Sequence, residues 1–298
     1  MKFSIVTPAH NMEPWIARTI ETVLSQEGQF DIEYIIVDGA SSDNTLSIAQ
    51  KYIQKITDGS YSIRCNSITI KVVAQEKTGM YEAINQGFAM ATGNIYAWIN
   101  ADDTYQPGAF QAIYTAMATF PDIQWIKGIT NTVDDKWRTI RTGQCRVYRH
   151  DWLALGIYGQ ESYFVEQDSC FWSADLWKKG GPIPNYYQSA GDYWLWLSFA
   201  RLAPLWSLDT PLSNFMKREG QISREIKKYK IEQERARPQR PFTAWSARLF
   251  FSAWSRLGSR FHPFFLKIYP FFFMQKPFEY IHIENNKATK RRARSFIV

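Results

Sequence analysis

Ile95-Tyr96-Ala97-Trp98-Ile99-Asn100-Ala101-Asp102-Asp103 carries an apolar run straight into a polar end with two adjacent carboxylates. The apolar part reads as a strand buried on both faces, as parallel sheets require. Pro107-Gly108 follows closely, so taken alone Asp102-Asp103 reads as a strand end entering a turn. As chemistry, the pair suits a hard divalent cation, which takes one or two protein carboxylates and completes its coordination with water and phosphate oxygens. Mg2+ or Mn2+ and a diphosphate-bearing ligand are the corresponding expectations.

The surrounding sequence alternates strand and helix. Phe3 to Thr7 is a short apolar strand; Trp15, Ile16, Ile20, Val23 and Leu24 recur at helical spacing; Tyr34 to Val37 is a second strand, and Thr45 to Ile53 a helix capped by Asp43. Ile68 to Val73, Met80 to Met90, Ile95 to Ile99 and Ala109 to Phe120 continue the pattern. This predicts an α/β fold with a doubly wound, mostly parallel sheet flanked by helices, in which ligands bind beyond the carboxyl ends of the strands. Pro8 to Glu13, Asp38 to Asp43 and Asn100 to Asp103 are therefore expected to line one crevice. Beyond residue 125, Trp125 to Val133 and Thr139 to Tyr148 read as antiparallel strands about Asp134-Asp135, and Asp175 to Lys179 and Asp192 to Ala200 as helices.

Charge divides the 298 residues. Residues 1–216 hold 16 Lys+Arg against 22 Asp+Glu, whereas 217–298 hold 19 against 6. The acidic part argues against nucleic acid as a partner, because it would repel a phosphate backbone. The basic part interleaves aromatics with Arg and Lys through residues 242–283 and closes on Lys290-Arg291-Arg292-Ala293-Arg294. That pattern predicts helices on an anionic membrane surface, or aromatics that cover the rest of the protein or a second subunit. Cys65, Cys145 and Cys170 have no zinc or disulfide spacing and read as reduced thiols of a cytoplasmic protein. No signal-peptide core follows Lys2, and no apolar stretch is long enough to span a bilayer.

Four segments occur in order: SIVTPAHNMEPWIARTIETVLSQ from residue 4, YIIVDGASSDNT at 34–45, EKTGMYEAINQG at 76–87 and ATGNIYAWINADDTYQPGAF at 91–110. Together they resemble glycosyltransferase family 2 of the GT-A fold, over residues 2 to about 225. The resemblance implies a GT-A domain at 1–225, and the shift in composition beyond it reads as a C-terminal basic, aromatic, helical extension at 226–298. It implies a metal-dependent inverting transferase that moves one sugar from a nucleotide-sugar, a UDP-sugar first, to a hydroxyl of a glycan or lipid-linked glycan during cell-surface polysaccharide synthesis. Such an enzyme works in the cytoplasm, peripheral to the inner face of the membrane.

Site residues carry over by position. Donor contacts fall on Thr7, Pro8, Ala9, Asn11, Glu13, Asp38, Gly39, Gly79 and Asp102, with Asp38 accepting a hydrogen bond from the base. Asp103 is the preferred direct metal ligand and Asp102 its neighbour; Asn100 stands where the family's first aspartate usually does. Asp192 in SAGDYWLWL takes the position of the general base, and Gln167 that of an acceptor contact, with Glu166 replacing a histidine. Ser198 occupies a position where relatives often carry arginine, and no Gln-x-x-Arg-Trp follows, so a single addition is expected. A non-catalytic nucleotide-sugar-binding or assembly subunit of the same fold is the competing reading. A nucleotidyltransferase would call for a Gly-rich loop after the first strand, where Thr7-Pro8-Ala9-His10-Asn11 has no glycine.

Overall fold

The structure is a computed structural model that describes residues 1–76, 79–159, 163–221, 226–238, 249, 278–293 and 297–298. In chain order the elements are β1 (Lys2–Ala9), α1 (Ile16–Leu24), β2 (Asp31–Asp38), α2 (Thr45–Thr57), β3 (Ser67–Ala74), α3 (Met80–Ala89), β4 (Ile95–Trp98), β5 (Thr104–Tyr105) and α4 (Ala109–Thr119). Then follow β6 (Trp125–Val133), β7 (Thr139–Arg141), α5 (His150–Ala154), a 3-10 turn (Gln167–Ser169), β8 (Cys170–Ser173), α6 (Ala174–Gly180), α7 (Gly191–Ala200), β9 (Trp206–Met216), α8 (Ile226–Ala236), β10 (Phe278–Glu284) and β11 (Lys287–Ala293). The sheet runs β11-β10-β9-β6-β8-β4-β1-β2-β3, with β5 on β9 and β7 on β6.

From β4 to β3 the strands are parallel, while β8 runs antiparallel between β4 and β6. Because β6 and β9 are parallel to each other, the ends of β1, β2, β4, β6 and β9 share one edge of the sheet. Successive side chains of a strand point to opposite faces. Phe3, Ile5, Ile95 and Ala97 accordingly join the core under α1, α2 and α4, while Val6, Tyr96 and Trp98 join the core under α3 and α7. The second core is built of indoles: Trp196 of α7 stacks on Trp98 at 5.9 Å and on Trp125 at 5.3 Å. Fully buried aromatics of this size dominate core energetics, and here they seat α7 on the sheet.

Several expectations shift. Asp43 does bond the start of α2, with Oδ1 accepting from the Thr45 N–H at 3.0 Å, although Asn44 is the residue at the helix boundary. The strand expected at 139–148 ends at Arg141. β8 and β9 went unread; β9 carries Asp209, Pro211 and Asn214 and lacks an apolar run. The helical expectation for the tail holds for α8 but is corrected at residues 278–293, which form an antiparallel hairpin at the sheet edge. Ile281 of that hairpin is fully buried in the main core. Lys290 sits between the Phe120 and Trp206 rings at 4.7 and 4.4 Å, so part of the basic cluster packs on the protein. The aromatic stretch 250–277 and Arg294 lie outside the described residues.

Candidate active site

The loops after β1 and β2 are laced together. The Asn11 N–H donates to Ser41 Oγ at 2.9 Å, and Asn11 Oδ1 accepts from the Ser42 N–H at 2.8 Å. Glu13 accepts from the Asn44 N–H at 3.1 Å and from its amide at 2.8 Å, and the Gly39 N–H donates to the Ala9 carbonyl at 2.8 Å. Asn11 and Ala40 have φ of 53° and 57°. Asparagine tolerates that left-handed region better than most residues. Asp38, buried at the end of β2, accepts from the Ser41 N–H at 3.0 Å and its hydroxyl at 2.5 Å. The expected juxtaposition of Pro8–Glu13 with Asp38–Asp43 is present. Thr7 is fully buried and its hydroxyl pairs with the Tyr34 hydroxyl at 2.9 Å, so that side chain serves the sheet. Gly79 precedes α3 with open space where a side chain would stand.

Asp102 and Asp103 diverge. Asp103 is 1% exposed and accepts from the Met216 N–H at 2.9 Å and the Asn100 amide at 3.2 Å. Burial, then the nearby Asp102 and Asp168 charges, push its carboxyl well above the usual range. Asp103 thereby ties the end of β4 to the end of β9. Asp102 Oδ2 instead accepts from Arg218 Nε at 2.7 Å and Gln221 Nε2 at 3.3 Å. Asn100 Oδ1 is a buried acceptor with no hydrogen-bond partner among the described residues. Asp102 and, two residues before it, Asn100 thus offer a carboxylate and an unpaired amide oxygen, the donor types that a hard cation prefers. Among the described residues no three His, Cys, Asp or Glu side chains gather as a ready-made metal cluster.

Asp192 occupies the first turn of α7, partly buried. Burial raises its carboxyl to about 6, against the pull of the Tyr193 N–H at 2.7 Å and the Tyr229 hydroxyl at 3.1 Å. The Tyr81 hydroxyl donates to the Ser189 carbonyl at 2.9 Å and lies 3.5 Å from Asp192 Oδ1. A Cβ on Gly191 would fall 2.8 Å from the Tyr81 ring, so a side chain there would push α7 off α3. Glu232 of α8 accepts from the N–H groups of Gln188, Ser189 and Ala190 at 2.8–3.2 Å, placing an anion at the N-terminus of α7. A carboxylate raised to this range is suited to take a proton near neutral pH.

Gln167 donates to the Trp98 carbonyl at 2.6 Å and is 9% exposed, so its amide nitrogen steadies the end of β4. Burial would raise the neighbouring Glu166, but Lys127 at 2.9 Å and Arg146 at 3.4 Å hold it below the usual range. Arg218, Gln221, Tyr81, Tyr229 and Glu232 were not singled out as site residues from sequence. Tyr229, Glu232, Gln233 and Ala236 share the inward face of α8, but two of the four are polar, so the apolar periodicity that marks such a face was absent.

A mostly parallel sheet flanked by helices, with carboxylates gathered beyond its strand ends, is the GT-A arrangement. Residues 4–172 match the Glycosyl transferase family 2 profile, more than half of the chain, and the chain belongs to that family. It is 31% identical over 140 residues to an uncharacterised glycosyltransferase of Nostoc, covering 47% of this chain and 40% of that one. Against chondroitin synthase of Escherichia coli it is 22% identical over 204 residues, covering 67% of this chain and 27% of the synthase. The chain thus spans less than half the length of these relatives. Among solved structures, Staphylococcus aureus TarS 1-349 in complex with UDP-GlcNAc superposes with a TM-score of 0.60 at 18% identity, covering 76% of this chain and 61% of that one.

Proposed function

We propose that this protein transfers one sugar, with inversion, from a nucleotide-sugar to a hydroxyl of a glycan or lipid-linked glycan in cell-surface polysaccharide synthesis. The observation that carries the reading is Asp192: a carboxylate raised to about 6 by burial, oriented by two tyrosines on the core that also holds β4. Asp192 takes the proton of the acceptor hydroxyl as its oxygen attacks the anomeric carbon. The carbon–oxygen bond to the nucleoside diphosphate breaks on the opposite side. Asp38, Asn11 and Glu13 hold the nucleoside; Asp38 retains lone pairs beyond the Ser41 contacts with which to accept an imide N–H, which favours a UDP-sugar. TarS, crystallised with UDP-GlcNAc, supports that donor class.

Asp102, with Asn100 Oδ1, is the preferred holder of Mn2+ or Mg2+, in place of the sequence preference for Asp103. Such an ion supplies Lewis-acid neutralisation of the departing diphosphate when bound. Gln167 contributes to the acceptor side through the strand end it braces. The exposed basic edge of β11, with residues 226–298 as a basic extension to the 1–225 domain, favours a cytoplasmic enzyme resting on an anionic membrane. Among the described residues, no helix is long and apolar enough to cross one.

Release of nucleoside diphosphate from a panel of UDP-, dTDP- and GDP-sugars, with Mn2+, Mg2+ or chelator, tests the reading. Slow metal-dependent hydrolysis of one donor is expected. Donor binding without turnover, even with acceptor supplied, would favour the assembly-subunit reading instead.

A further inference from the structure

Arg218, two residues past the end of β9, turns its side chain back over the strand ends. Its Nε donates to Asp102 Oδ2 at 2.7 Å, its guanidinium lies 4.2 Å from the Trp15 ring centroid, Nη1 donates to the Glu219 carbonyl at 3.1 Å, and Nη2 reaches Met12 Sδ at 3.6 Å. The Arg218 side chain is 13% exposed and that of Asp102 8%. Asp102 is its one ion-pair partner among the described residues. A desolvated cation is thus stored against the carboxylate that fits the metal, between the loop after β1 and the loop after β9. Trp15 and Met12 hold the guanidinium plane but satisfy little of its hydrogen-bonding capacity. A planar fork of this kind matches phosphate as well as it matches carboxylate.

The crevice needs such a charge. Asp38 ends β2 and Glu13, Asp43 and Asp102 lie on the loops beyond the strand ends, and a nucleoside diphosphate adds further negative charge. One divalent ion offsets part of that; a guanidinium released from Asp102 offsets more without leaving the site. We propose that Arg218 is a second cation of the diphosphate site: it neutralises Asp102 while the site is without donor, yields Asp102 to the divalent ion that arrives with the donor, and re-pairs with the phosphate oxygens. The proposal rests on the nucleotide-sugar reading. It assigns Arg218 two opposed effects, competition with the metal alone and support for the metal–nucleotide pair, which a merely structural arginine would not show.

The full chain and its Arg218→Gln and Arg218→Lys variants are titrated with Mn2+, following free Mn2+ by electron paramagnetic resonance. They are titrated separately with UDP, GDP and dTDP in the presence of Mn2+ by calorimetry. Arg218→Gln is expected to bind Mn2+ alone several-fold more tightly, and the preferred nucleoside diphosphate about tenfold more weakly, the size of one lost charge-assisted contact. Arg218→Lys, which keeps the charge and loses the fork, is expected to fall between. Unchanged or weakened Mn2+ binding, or unchanged nucleotide binding, in a folded Arg218→Gln protein overturns the proposal. A wild-type chain that binds none of the three nucleotides overturns the donor reading beneath it.

Discussion

The Tyr229 hydroxyl donates to Asp192 Oδ1 across 3.1 Å, so a helix assigned by composition to a basic extension orients the candidate base. A donor to the ionised form lowers a carboxyl pKa, and here it works against the burial that raises Asp192 to about 6. A base acts in its ionised form, so with Asp192 in the proposed role transfer is expected to fall as pH drops through about 6. Tyr229→Phe removes the donor and moves that acidic limb upward by roughly one unit, the equivalent of one modest hydrogen bond to a charged group. Asp192→Asn keeps donor affinity while transfer falls by about a thousandfold, in the range for loss of a general base. A pH profile of kcat/KM with donor titrations checks all three; equal loss of binding and transfer in Asp192→Asn would make Asp192 structural.

The adjacent carboxylates have different partners. Asp103 ties β4 to β9 through the Met216 N–H, and Asp102 faces Arg218. Asp103→Ala is expected to lower stability by about 2 kcal/mol, since it leaves a buried N–H unpaired, and Asp102→Ala also lowers it, since it strips the desolvated Arg218 of its ion-pair partner; of the two, only Asp102→Ala is expected to lose Mn2+ affinity. Thermal melts and Mn2+ titrations decide this. A fully stable Asp103→Ala protein that has lost Mn2+ would restore Asp103 as the direct ligand.

How far the sequence reaches is clear from particular residues. The strand–helix alternation and the meeting of Asn11, Glu13, Asp38 and Ser42 beyond the strand ends were legible, because buried strands and turn residues leave local signals. Arg218 and Tyr229 were not, because their roles come from contacts 116 and 37 residues away in sequence with Asp102 and Asp192. The different surroundings of Asp102 and Asp103 were not legible for the same reason: neighbours in sequence, they differ in what β9 and the residues after it bring to them. The tail was read by its charge, which does not distinguish a basic amphipathic helix from a basic edge strand such as β11.

Basic edge strands also discourage pairing with other sheets, so the membrane reading of β11 needs its own test. Lys287 and Arg292 are exposed on that strand. Replacing both by Glu is expected to abolish sedimentation with vesicles containing phosphatidylglycerol while leaving hydrolysis of free donor intact. Unchanged sedimentation would remove the hairpin from the membrane contact. Deleting residues 242–298 is a poorer experiment, because it takes buried Ile281 out of the core.

Glu33 on β2 sets an acid limit to stability. Its side chain is 2% exposed, and burial alone would raise its pKa; bonds from Ser4, Thr92 and Lys71 overcome that and bring it down to about 2. Because the folded value lies below the unfolded one, the contribution is complete above about pH 5 and fades as pH falls toward 2. Glu33→Gln is expected to cost about 2 kcal/mol at pH 7 and progressively less below pH 4. Urea midpoints of the two proteins across that range provide the check; a pH-independent gap would show that shape rather than charge is at stake.

Glu232 is the last of these buried anions and the one that couples α8 to the site. Its carboxylate takes three successive backbone donors ahead of α7, at 6% exposure. Hydrogen bonds to a charged acceptor are worth about 1.5–3 kcal/mol each in favourable cases, and their loss here would leave Ser189 and Ala190 N–H groups buried and unpaired. Glu232→Ala is therefore expected to destabilise the protein by about 3 kcal/mol. It is also expected to loosen Asp192, since the same helix carries Tyr229. The discriminating measurement is catalysis well below the melting temperature. Glu232→Gln keeps one amide oxygen for these donors and is expected to recover part of both losses. If Glu232→Ala lowers the melting temperature but leaves kcat untouched, α8 stabilises the fold without positioning the base.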